Sequence, residues 1–252
     1  MTVRFKDKSI IVTGAASGIG LATARRFAAE GANVAHVDIR DARRVKDTMR
    51  EGRGKAIFIR TDVSRSAAVE RMVRETTAAF GRIDVLVNNA GIVLAKKITE
   101  TSESEWDRLM GVNLKGVFLC SKEAIRVMRR GGGAIVNVAS ELGLVGGADI
   151  AAYCASKGGI VQLTKAMAID HACDNIRVNC VCPGPVATPL LDSIIRQASD
   201  PAAERRHIEE SSPLKRIGRP EQIASVIAFL ASDDASHMTG AIVAVDGGWT
   251  AR

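Results

Sequence analysis

Aromatic residues are scarce in this 252-residue sequence, which contains six Phe, two Trp and one Tyr. The net charge of +7 comes entirely from residues 1–60, and Phe58 is the only ring near the basic segment 40–50. Nucleic-acid surfaces usually combine positive charge with rings on which bases stack. We therefore expect no nucleic-acid partner and interpret the basic segment as a solvated helix.

Cysteine is also sparse, with five residues, an odd number, and none at CxxC spacing. This pattern argues against a disulfide framework and indicates a reducing compartment. The first residues lack the apolar stretch and cleavage site of a signal peptide, and no later run has the length of a membrane span. The four histidines are scattered and do not have metal-ligand spacing. We therefore expect a cytoplasmic protein without a membrane partner or a metal site.

Small and branched apolar residues are abundant, and hydrophobic residues make up 46% of the chain. Short apolar runs alternate with longer amphipathic stretches. The runs predict strands at 9–13, 33–38, 56–60, 83–88, 134–139, 176–181 and 241–245. The stretches predict helices at 18–30, 42–51, 66–80, 103–130, 152–172 and 220–231. This alternation indicates βαβ units, so we predict an α/β fold, a single doubly wound domain over residues 1–252 with a seven-stranded parallel sheet.

The segment 190–212 breaks this alternation. It follows a Pro-rich turn, is too polar for a core helix and is too long for a bare loop. Because it comes after the carboxyl end of a strand, we interpret it as a small helical lid over a binding site. A helical hairpin that only covers the surface is the alternative.

A glycine-rich turn, TGAASGIG over 13–20, follows the first predicted strand. Its residues that we expect to contact a cofactor are Gly14, Ser17, Gly18, Ile19 and Gly20. Glycine lets the backbone turn tightly and approach a pyrophosphate, whose charge is stabilised by the N-terminus of the next helix. The spacing is GxxxGxG instead of the commoner GxGxxG, but its position predicts a Rossmann-type dinucleotide site.

Carboxylates follow the second and third strands. Asp38 can accept hydrogen bonds from the adenosine ribose and would repel a 2′-phosphate, which predicts NAD and makes NADP the less favoured cofactor. Arg40 could soften this preference, because a guanidinium pairs readily with phosphate. A helix N-cap is the alternative role for Asp38. Asp62, followed by Val63, comes after the third strand and could reach the adenine amino group.

The fourth strand ends in Asn88-Asn89-Ala90-Gly91, at the sheet edge where open sheets bind ligands. We place Asn89, Ala90 and Gly91 at the cofactor. Satisfying the exposed backbone at the strand end is the alternative for the two asparagines. The sequence does not separate these roles for Asn88 and Asn89.

The single tyrosine, Tyr153, stands four residues before Lys157, so the phenol and the ammonium share a helical face. A nearby cation lowers the pKa of a tyrosine and makes it a usable acid/base near neutral pH. Core packing for the tyrosine and a solvated end for the lysine are the alternatives. Ser140 closes the fifth strand, where its hydroxyl could hold a substrate oxygen. Asn113 lies within a long helical pattern, where we expect it to bend the helix and hold a water leading to Lys157.

Together these motifs resemble those of the short-chain dehydrogenases/reductases. TGAASGIG is similar to the family's TGxxxGxG, NNAG occurs at 88–91, and YCASK at 153–157 matches YxxxK. The resemblance implies that Tyr153 exchanges a proton with the substrate oxygen, while Lys157 binds the nicotinamide ribose and lowers the tyrosine pKa. It implies that Ser140 orients the carbonyl and that Asn113 carries a water relay. The segment that resembles the family's nicotinamide carboxamide site contains Pro183, Gly184, Val186 and Thr188.

The resemblance also implies a homotetramer built from the helices over 103–130 and 152–172 and from the C-terminal strand. It leaves the substrate open, because the expected pocket mixes apolar residues with polar ones. We place its wall at 94–96, 141–150, 185–186 and the lid, with Glu141, Asp149 and His207 as its polar candidates.

We predict an oxidoreductase that transfers hydride between NAD(H) and a secondary alcohol or ketone of the small-alcohol, polyol, sugar or hydroxysteroid type. The alternative is a 3-oxoacyl carrier-protein reductase that uses NADPH. Gly131 and Asp174 stand where that enzyme has basic residues, although Arg129 and Arg130 lie nearby. A dinucleotide sensor without chemistry predicts a broken set of catalytic positions, and none of the four is broken.

Overall fold

A computed structural model describes residues 3–40 and 54–251. Seven parallel strands form one sheet with the order β3-β2-β1-β4-β5-β6-β7. The strands are β1 (Ser9–Thr13), β2 (Asn33–Asp38), β3 (Ala56–Arg60), β4 (Val85–Asn88), β5 (Gly133–Val138), β6 (Ile176–Pro183) and β7 (Ile242–Val245). This is the predicted α/β fold with a doubly wound, seven-stranded parallel sheet.

Eight α-helices connect or follow these strands in the described ranges. They are α1 (Gly18–Ala29), α2 (Ser66–Phe80), α3 (Glu103–Met110), α4 (Gly116–Met128), α5 (Ala151–Asp170), α6 (Pro189–Ile195), α7 (Pro201–Ser211) and α8 (Pro220–Ala231). A π-helical turn, Gly111–Lys115, joins α3 to α4. Short 3-10 turns occupy Ile98–Glu100, Glu141–Gly143, Asp233–Ala235 and Trp249–Ala251.

The sheet is covered on both faces by apolar packing. On one face Ile10 packs in a cluster that includes Phe27 of α1 and Ile227 of α8. Its neighbour in β1, Ile11, joins a cluster on the other face with Met72 of α2, beside residues of α4 and α5. Alternate strand residues point to opposite faces, so strands buried on both sides need apolar residues in succession. This requirement explains the unbroken apolar runs in the sequence.

Most element bounds agree with the predictions. The first three strands and the helices over 66–80 and 220–231 match, whereas β4 begins two residues later and β6 continues to Pro183. The predicted helix 103–130 is observed as α3, the π-helical turn and α4, which follow one another without a break from Glu103 to Met128. The predicted helix 42–51 lies outside the described residues.

At Asn113, where we expect a bend, the helix contains the π-helical turn, and the Asn113 side chain hydrogen-bonds to other segments. Asn113 is fully buried; its Nδ2 donates to Ile92 O at 2.9 Å and to Ser156 Oγ at 3.0 Å, and its Oδ1 accepts from Ile92 N at 2.9 Å. A π-helical turn places one extra residue in the turn and is often found at functional sites. Here the turn positions the Asn113 side-chain amide so that its hydrogen bonds connect the segment after β4 to α5.

The segment 190–212 forms most of a pair of short helices, α6 and α7. Thr188 caps α6 by accepting from Leu191 N at 3.3 Å, and Asp200 caps α7 by accepting from Ala202 N and Ala203 N at 3.0 Å. Each helix begins with proline, whose fixed φ suits a first helical turn.

Within residues 3–40 and 54–251 no helix has both the length and the apolarity of a membrane span. The same residues contain no cluster of His, Cys, Asp and Glu suited to a metal ion.

Candidate active site

A cavity of about 1170 Å³ opens along the carboxyl ends of the strands. It lies where the strand order reverses between β1 and β4, the place where open α/β sheets bind ligands. All but two of the predicted site residues line it, namely Gly14, Ser17, Gly18, Ile19, Asp38, Asp62, Val63, Asn89, Ala90, Gly91, Ser140, Tyr153, Lys157, Pro183, Gly184, Val186 and Thr188. Gly20 and Asn113 lie behind its wall.

The glycine-rich turn needs glycine for two separate reasons. Gly14 and Gly18 have φ values of +68° and +55°, which strain any residue with a Cβ. A Cβ at Gly14 would also lie 2.8 Å from Asn89 Nδ2, and one at Gly20 would lie 2.2 Å from Gly14 O. The third glycine therefore allows α1 to pack against its own loop, while the first two shape the cavity wall.

Asp38 is 5% exposed and is held by the backbone on both sides. Its Oδ2 accepts from Ala16 N at 3.0 Å, and its Oδ1 accepts from Arg40 N at 2.9 Å. The Arg40 guanidinium lies 3.4 Å from Oδ1 and donates to Ser17 Oγ at 2.9 Å. The carboxylate thus has a fixed position at the cavity, with a cation beside it.

Asp62 and Val63 line the cavity after β3. Asp62 Oδ1 accepts from Ser64 N at 3.0 Å and from Ser64 Oγ at 2.6 Å. These bonds hold the carboxylate in a turn, and the cavity remains on its other side.

The structure separates the two asparagines that the sequence left together. Asn88 is buried inside the sheet, where its Nδ2 donates to Ser121 Oγ at 3.0 Å and to Asn137 Oδ1 at 2.9 Å. Asn89 lines the cavity, and its Nδ2 donates to Thr13 O at 2.9 Å. Asn88 therefore has an internal packing role. Asn89 satisfies backbone at the end of β1 and also faces the cavity, so the two proposed roles coincide.

Tyr153 and Lys157 lie on one face of α5, as their spacing predicts. Lys157 Nζ is 5.6 Å from the centroid of the tyrosine ring and donates to Val138 O at 3.0 Å. Lys157 is buried, and burial lowers its pKa to about 8. A Cβ at Gly91 would lie 3.5 Å from Lys157 Nζ and 3.4 Å from Asn113 Oδ1, so that residue stands between the two groups.

The pKa of Tyr153 differs from the sequence-based expectation. Burial raises this pKa, and so does the nearby carboxyl group of Glu141, whereas a hydrogen bond with Ser140 lowers it. Burial disfavours a phenolate, and this effect is larger than the influence of the neighbouring ammonium. In the protein alone the phenol is therefore held in its protonated form, and the expected lowering by Lys157 is wrong for this state.

Ser140 lies two residues after the end of β5 and caps the short turn Glu141–Gly143. Its Oγ donates to Glu141 Oε2 at 2.6 Å and accepts from Leu142 N at 3.2 Å. Glu141 is 9% exposed and lines the cavity, and burial raises the pKa of its carboxyl group. A serine hydroxyl, a phenol and a buried carboxyl group are therefore adjacent at one end of the cavity.

The substrate wall differs in part from the prediction. Glu141 and the lid helices line the cavity, but residues 94–96, Asp149 and His207 do not. Further wall residues that the sequence did not indicate are Thr61, Ser64, Arg65, Ile92, Val93, Asp107, Arg108, Gly111, Val112 and Lys115. Thr61 and Ser64 lie within four residues of the end of a predicted strand, which is the signal that could have found them. The π-helical turn brings in Gly111, Val112 and Lys115, and its geometry is absent from the periodicity.

The fold and the site together define a dinucleotide-binding oxidoreductase. The chain matches, over residues 14–250, a family model described as enoyl-(acyl carrier protein) reductase. It is 45% identical over 249 residues to the meso-2,3-butanediol dehydrogenase of Serratia marcescens, covering 99% of this chain and 97% of that protein. It is 40% identical over 265 residues to a 3beta-hydroxysteroid dehydrogenase of Mediterraneibacter gnavus, covering 98% of this chain and 96% of that protein.

The solved structure of levodione reductase superimposes with a TM-score of 0.94 at 36% identity, covering 98% of this chain and 99% of that chain. The chain therefore belongs to the short-chain dehydrogenases/reductases, oxidoreductases that use NAD(P) and act on CH–OH groups.

Proposed function

We propose that this enzyme transfers hydride between NAD(H) and a secondary alcohol or ketone, with Tyr153 as its acid/base. The observation that carries the proposal is the placement of Ser140, Tyr153 and Lys157 in the same cavity as the glycine-rich turn. A hydroxyl and a phenol can bind one reacting oxygen there, and a dinucleotide can lie beside them. This arrangement fits proton transfer coupled to hydride transfer.

The residues on one side of the cavity fit a dinucleotide. Backbone at Gly14 and Gly18 forms a wall without Cβ atoms, and the N-terminus of α1 stabilises a pyrophosphate. Asp38 would bind the adenosine ribose, and Asp62 with Val63 would contact the adenine. The nicotinamide end would contact Asn89, Ala90, Gly91, Pro183, Gly184, Val186 and Thr188. When bound, the nicotinamide supplies or accepts the hydride.

Each catalytic group has one task in this proposal. The phenolate of Tyr153 would take the proton of the substrate hydroxyl during oxidation, and its phenol would return a proton to the carbonyl oxygen during reduction. Ser140 holds that oxygen, and Lys157 would bind the nicotinamide ribose. Asn113 keeps the segment after β4 against α5 and, with that position, supports a water relay to Lys157. A positive nicotinamide ring beside the phenol favours the phenolate and opposes the effect of burial.

Asp38 supports NAD as the preferred cofactor. A 2′-phosphate would bring negative charge beside a carboxylate that is already held by Ala16 and Arg40. Arg40 lies within 3.4 Å of this carboxylate, so its charge is partly engaged there. We infer that NADP binds less well for this reason.

The named relatives favour this function over a 3-oxoacyl carrier-protein reductase. They are dehydrogenases or reductases of small alcohols, ketones or steroids at 40–45% identity. A local observation agrees with them, since Arg129 Nε lies 3.1 Å from Asp174, which His171 also contacts at 2.8 Å. Arg129 is therefore engaged by a carboxylate on this surface and is a poor site for an acidic carrier protein.

Three further features belong to this proposal. We propose that α6 and α7 act as a lid, because Leu190, Leu191, Ser193, Ile194, Glu204 and Ile208 line the cavity.

We propose a homotetramer, since Phe118 of α4 and Ile169 of α5 are 48% and 79% exposed on helices expected at the subunit interfaces. All five cysteines are free thiols, which supports the expected cytoplasmic setting.

Absorbance of the reduced nicotinamide tests the central proposal. Purified enzyme is given NAD or NADP together with a panel of secondary alcohols, and NADH or NADPH with the matching ketones. We expect turnover with NAD and at least one secondary alcohol. Activity that appears only with NADPH and a carrier-protein thioester would instead establish the reductase alternative. Light scattering measures the mass of the assembly in the same preparation.

A further inference from the structure

The mechanism proposed above leaves the carboxyl group of Glu141 without a task, although this group lies beside the reacting groups. Glu141 directly follows Ser140, and the turn Glu141–Gly143 directs its side chain back towards the cavity. Its Oε2 accepts the Ser140 hydroxyl at 2.6 Å. An acidic side chain that is 9% exposed at a binding cavity requires a reason, because burial of a carboxyl group is costly without hydrogen-bond donors.

The side-chain group that contacts the Glu141 carboxyl group is a hydroxyl and not a cation. This carboxyl group accepts a hydrogen bond from the Ser140 hydroxyl, and the neighbouring Asp246 raises the carboxyl pKa by like-charge repulsion. Lys157, the nearest cation of the site, directs its ammonium to Val138 O. Backbone N–H groups of Glu141 and Leu142 also contact this carboxyl group, and its two oxygens, with about four acceptor positions, retain capacity for a donor from a ligand.

We propose that Glu141 binds a second hydroxyl of the substrate, on the carbon next to the one that reacts, so that the preferred substrates are vicinal diols and the matching hydroxyketones. This inference rests on the proposed function, because it takes Ser140 and Tyr153 as the partners of the reacting oxygen.

The spacing of the two acceptor sites determines the substrate class. The reacting oxygen contacts Ser140 Oγ, and the second hydroxyl contacts Glu141, whose Oε2 is 2.6 Å from that atom. The two oxygens of a vicinal diol are on adjacent carbons, so they can contact these two neighbouring atoms at the same time. Hydroxyls at the two ends of a longer chain would fit only if the chain folded back.

The rest of the wall restricts the substrate further. Leu142, Ile150, Leu191 and Ile194 present apolar surface to the cavity, so the second hydroxyl has one strong acceptor nearby. A hydroxy acid would place its carboxylate close to Glu141 and be repelled. The wall therefore suits an uncharged diol with apolar ends.

The reaction balances without any further reactant. The carbinol carbon held at Ser140 loses a hydride to oxidised nicotinamide, and its hydroxyl proton passes to Tyr153 and then to water. The alcohol becomes a ketone, and NAD is reduced to NADH. The second hydroxyl stays bound to Glu141 and is unchanged, so the product is a hydroxyketone.

The test compares 2,3-butanediol with 2-butanol, which differ in this hydroxyl alone. The measurement is the ratio of their kcat/KM values with NAD, for the wild type and for Glu141→Leu and Glu141→Gln. We expect the wild type to prefer the diol by at least about tenfold, as for a hydrogen bond to a charged group. Glu141→Leu should lower the ratio about 10- to 100-fold, and Glu141→Gln, which keeps an acceptor oxygen, should lower it less.

Glu204→Leu is the matched control, because Glu204 is the acidic residue that lines the cavity from the lid. Its ratio should stay within about twofold of the wild-type ratio, since the second hydroxyl is proposed to bind Glu141 and not the lid. Thermal unfolding and NADH binding verify that each variant is folded. If Glu141→Leu does not fold, Glu141→Gln decides the question.

The outcomes separate this inference from the proposed function. A wild type that oxidises both alcohols equally well, or folded Glu141 variants that lose both activities in parallel, would overturn the diol site and leave the proposed function intact. In the second case Glu141 would act only by positioning Ser140. A wild type that oxidises neither alcohol and reduces neither butanone nor acetoin would count against both.

Discussion

The two halves of the sheet serve the site in different ways. In the half formed by β1 to β4, the proposed cofactor site is shaped mainly by backbone, in short local motifs such as the turn at Gly14 and Gly18. In the half formed by β5 to β7, the proposed chemistry depends on single side chains. Ser140 follows a strand, Tyr153 and Lys157 lie on α5, and Asn113 is hydrogen-bonded to α5 from a π-helical turn.

The two halves should therefore respond to different kinds of substitution. A site wall made of backbone should be disturbed by any added side-chain atom, and it should tolerate changes in side-chain chemistry elsewhere. A site made of single side chains should lose turnover when one functional group is removed, even though the fold and cofactor binding survive. Four substitutions test this contrast.

The largest effect is expected for Tyr153→Phe in the catalytic half. Removal of the phenolic hydroxyl should lower kcat about 1000-fold, because general acid/base groups contribute on that scale. NADH binding, measured by fluorescence, should stay within about threefold, since a ring remains in place. Substantial retained turnover would remove Tyr153 from the role of acid/base.

The second effect concerns His36, which is fully buried in β2 with no hydrogen-bond partner for either ring nitrogen in the described part of the chain. Burial lowers its pKa from 6.5 to about 4. The unfolded chain therefore binds the proton more readily, and the stability contributed by neutral His36 is present above pH 6.5 and lost as pH falls towards 4.

The loss should reach about 3 kcal/mol of the free energy of unfolding across that window. Urea unfolding of the wild type and His36→Leu at pH 7.5 and pH 4.5 isolates this contribution, because the other titrating groups are shared. The variant should show the smaller decrease. Equal decreases in the two proteins would show that His36 does not titrate in this window.

The third effect tests the backbone cradle. Gly20→Ala places a Cβ about where Gly14 O and Asn89 Nδ2 stand, so either α1 or its loop must move. Overpacking of this kind costs about 2 kcal/mol of unfolding free energy, and NAD affinity should fall with it although Gly20 does not line the cavity. Gly146→Ala is the matched control, because a Cβ there meets no atom within 4 Å. If both substitutions have the same effect, close packing at Gly20 is not the reason for its glycine.

The smallest effect is a change of cofactor preference. Asp38→Ser removes the carboxylate that opposes a 2′-phosphate, so the ratio of kcat/KM for NAD over NADP should fall about tenfold, which corresponds to about 1.4 kcal/mol. Asp62→Ser is the control, because the adenine is common to both cofactors. A ratio that changes as much in the control as in Asp38→Ser would exclude Asp38 as the discriminating group.

A second substitution, at the neighbouring Arg40, extends this last experiment. Once Asp38 is replaced, the Arg40 guanidinium loses its 3.4 Å partner and becomes available to a phosphate. The double variant with Arg40→Ala should therefore return part of the lost NAD preference. Additive effects would indicate that the two side chains act independently.

Much of this protein could be predicted from particular residues. The glycine turn, the carboxylate after β2 and the Tyr153-Lys157 spacing are local patterns. Backbone geometry over a few residues is enough to predict where these groups lie relative to one another and to the strand ends. The parallel sheet followed from apolar runs buried on both faces. The pKa of Tyr153 was predicted in the wrong direction, because burial depends on residues far away in the sequence.

Local patterns of residues are enough to give the order of the strands along the chain, the glycine positions and the helical face shared by phenol and ammonium, since each depends on near neighbours and backbone sterics. Three other features emerge only in the folded chain: Asn88 packs inside the sheet, a π-helical turn holds Asn113 against Ser156, and Glu141 lies buried beside Ser140. These facts depend on which distant segments meet, and burial and hydrogen bonding between such segments leave no period in the sequence.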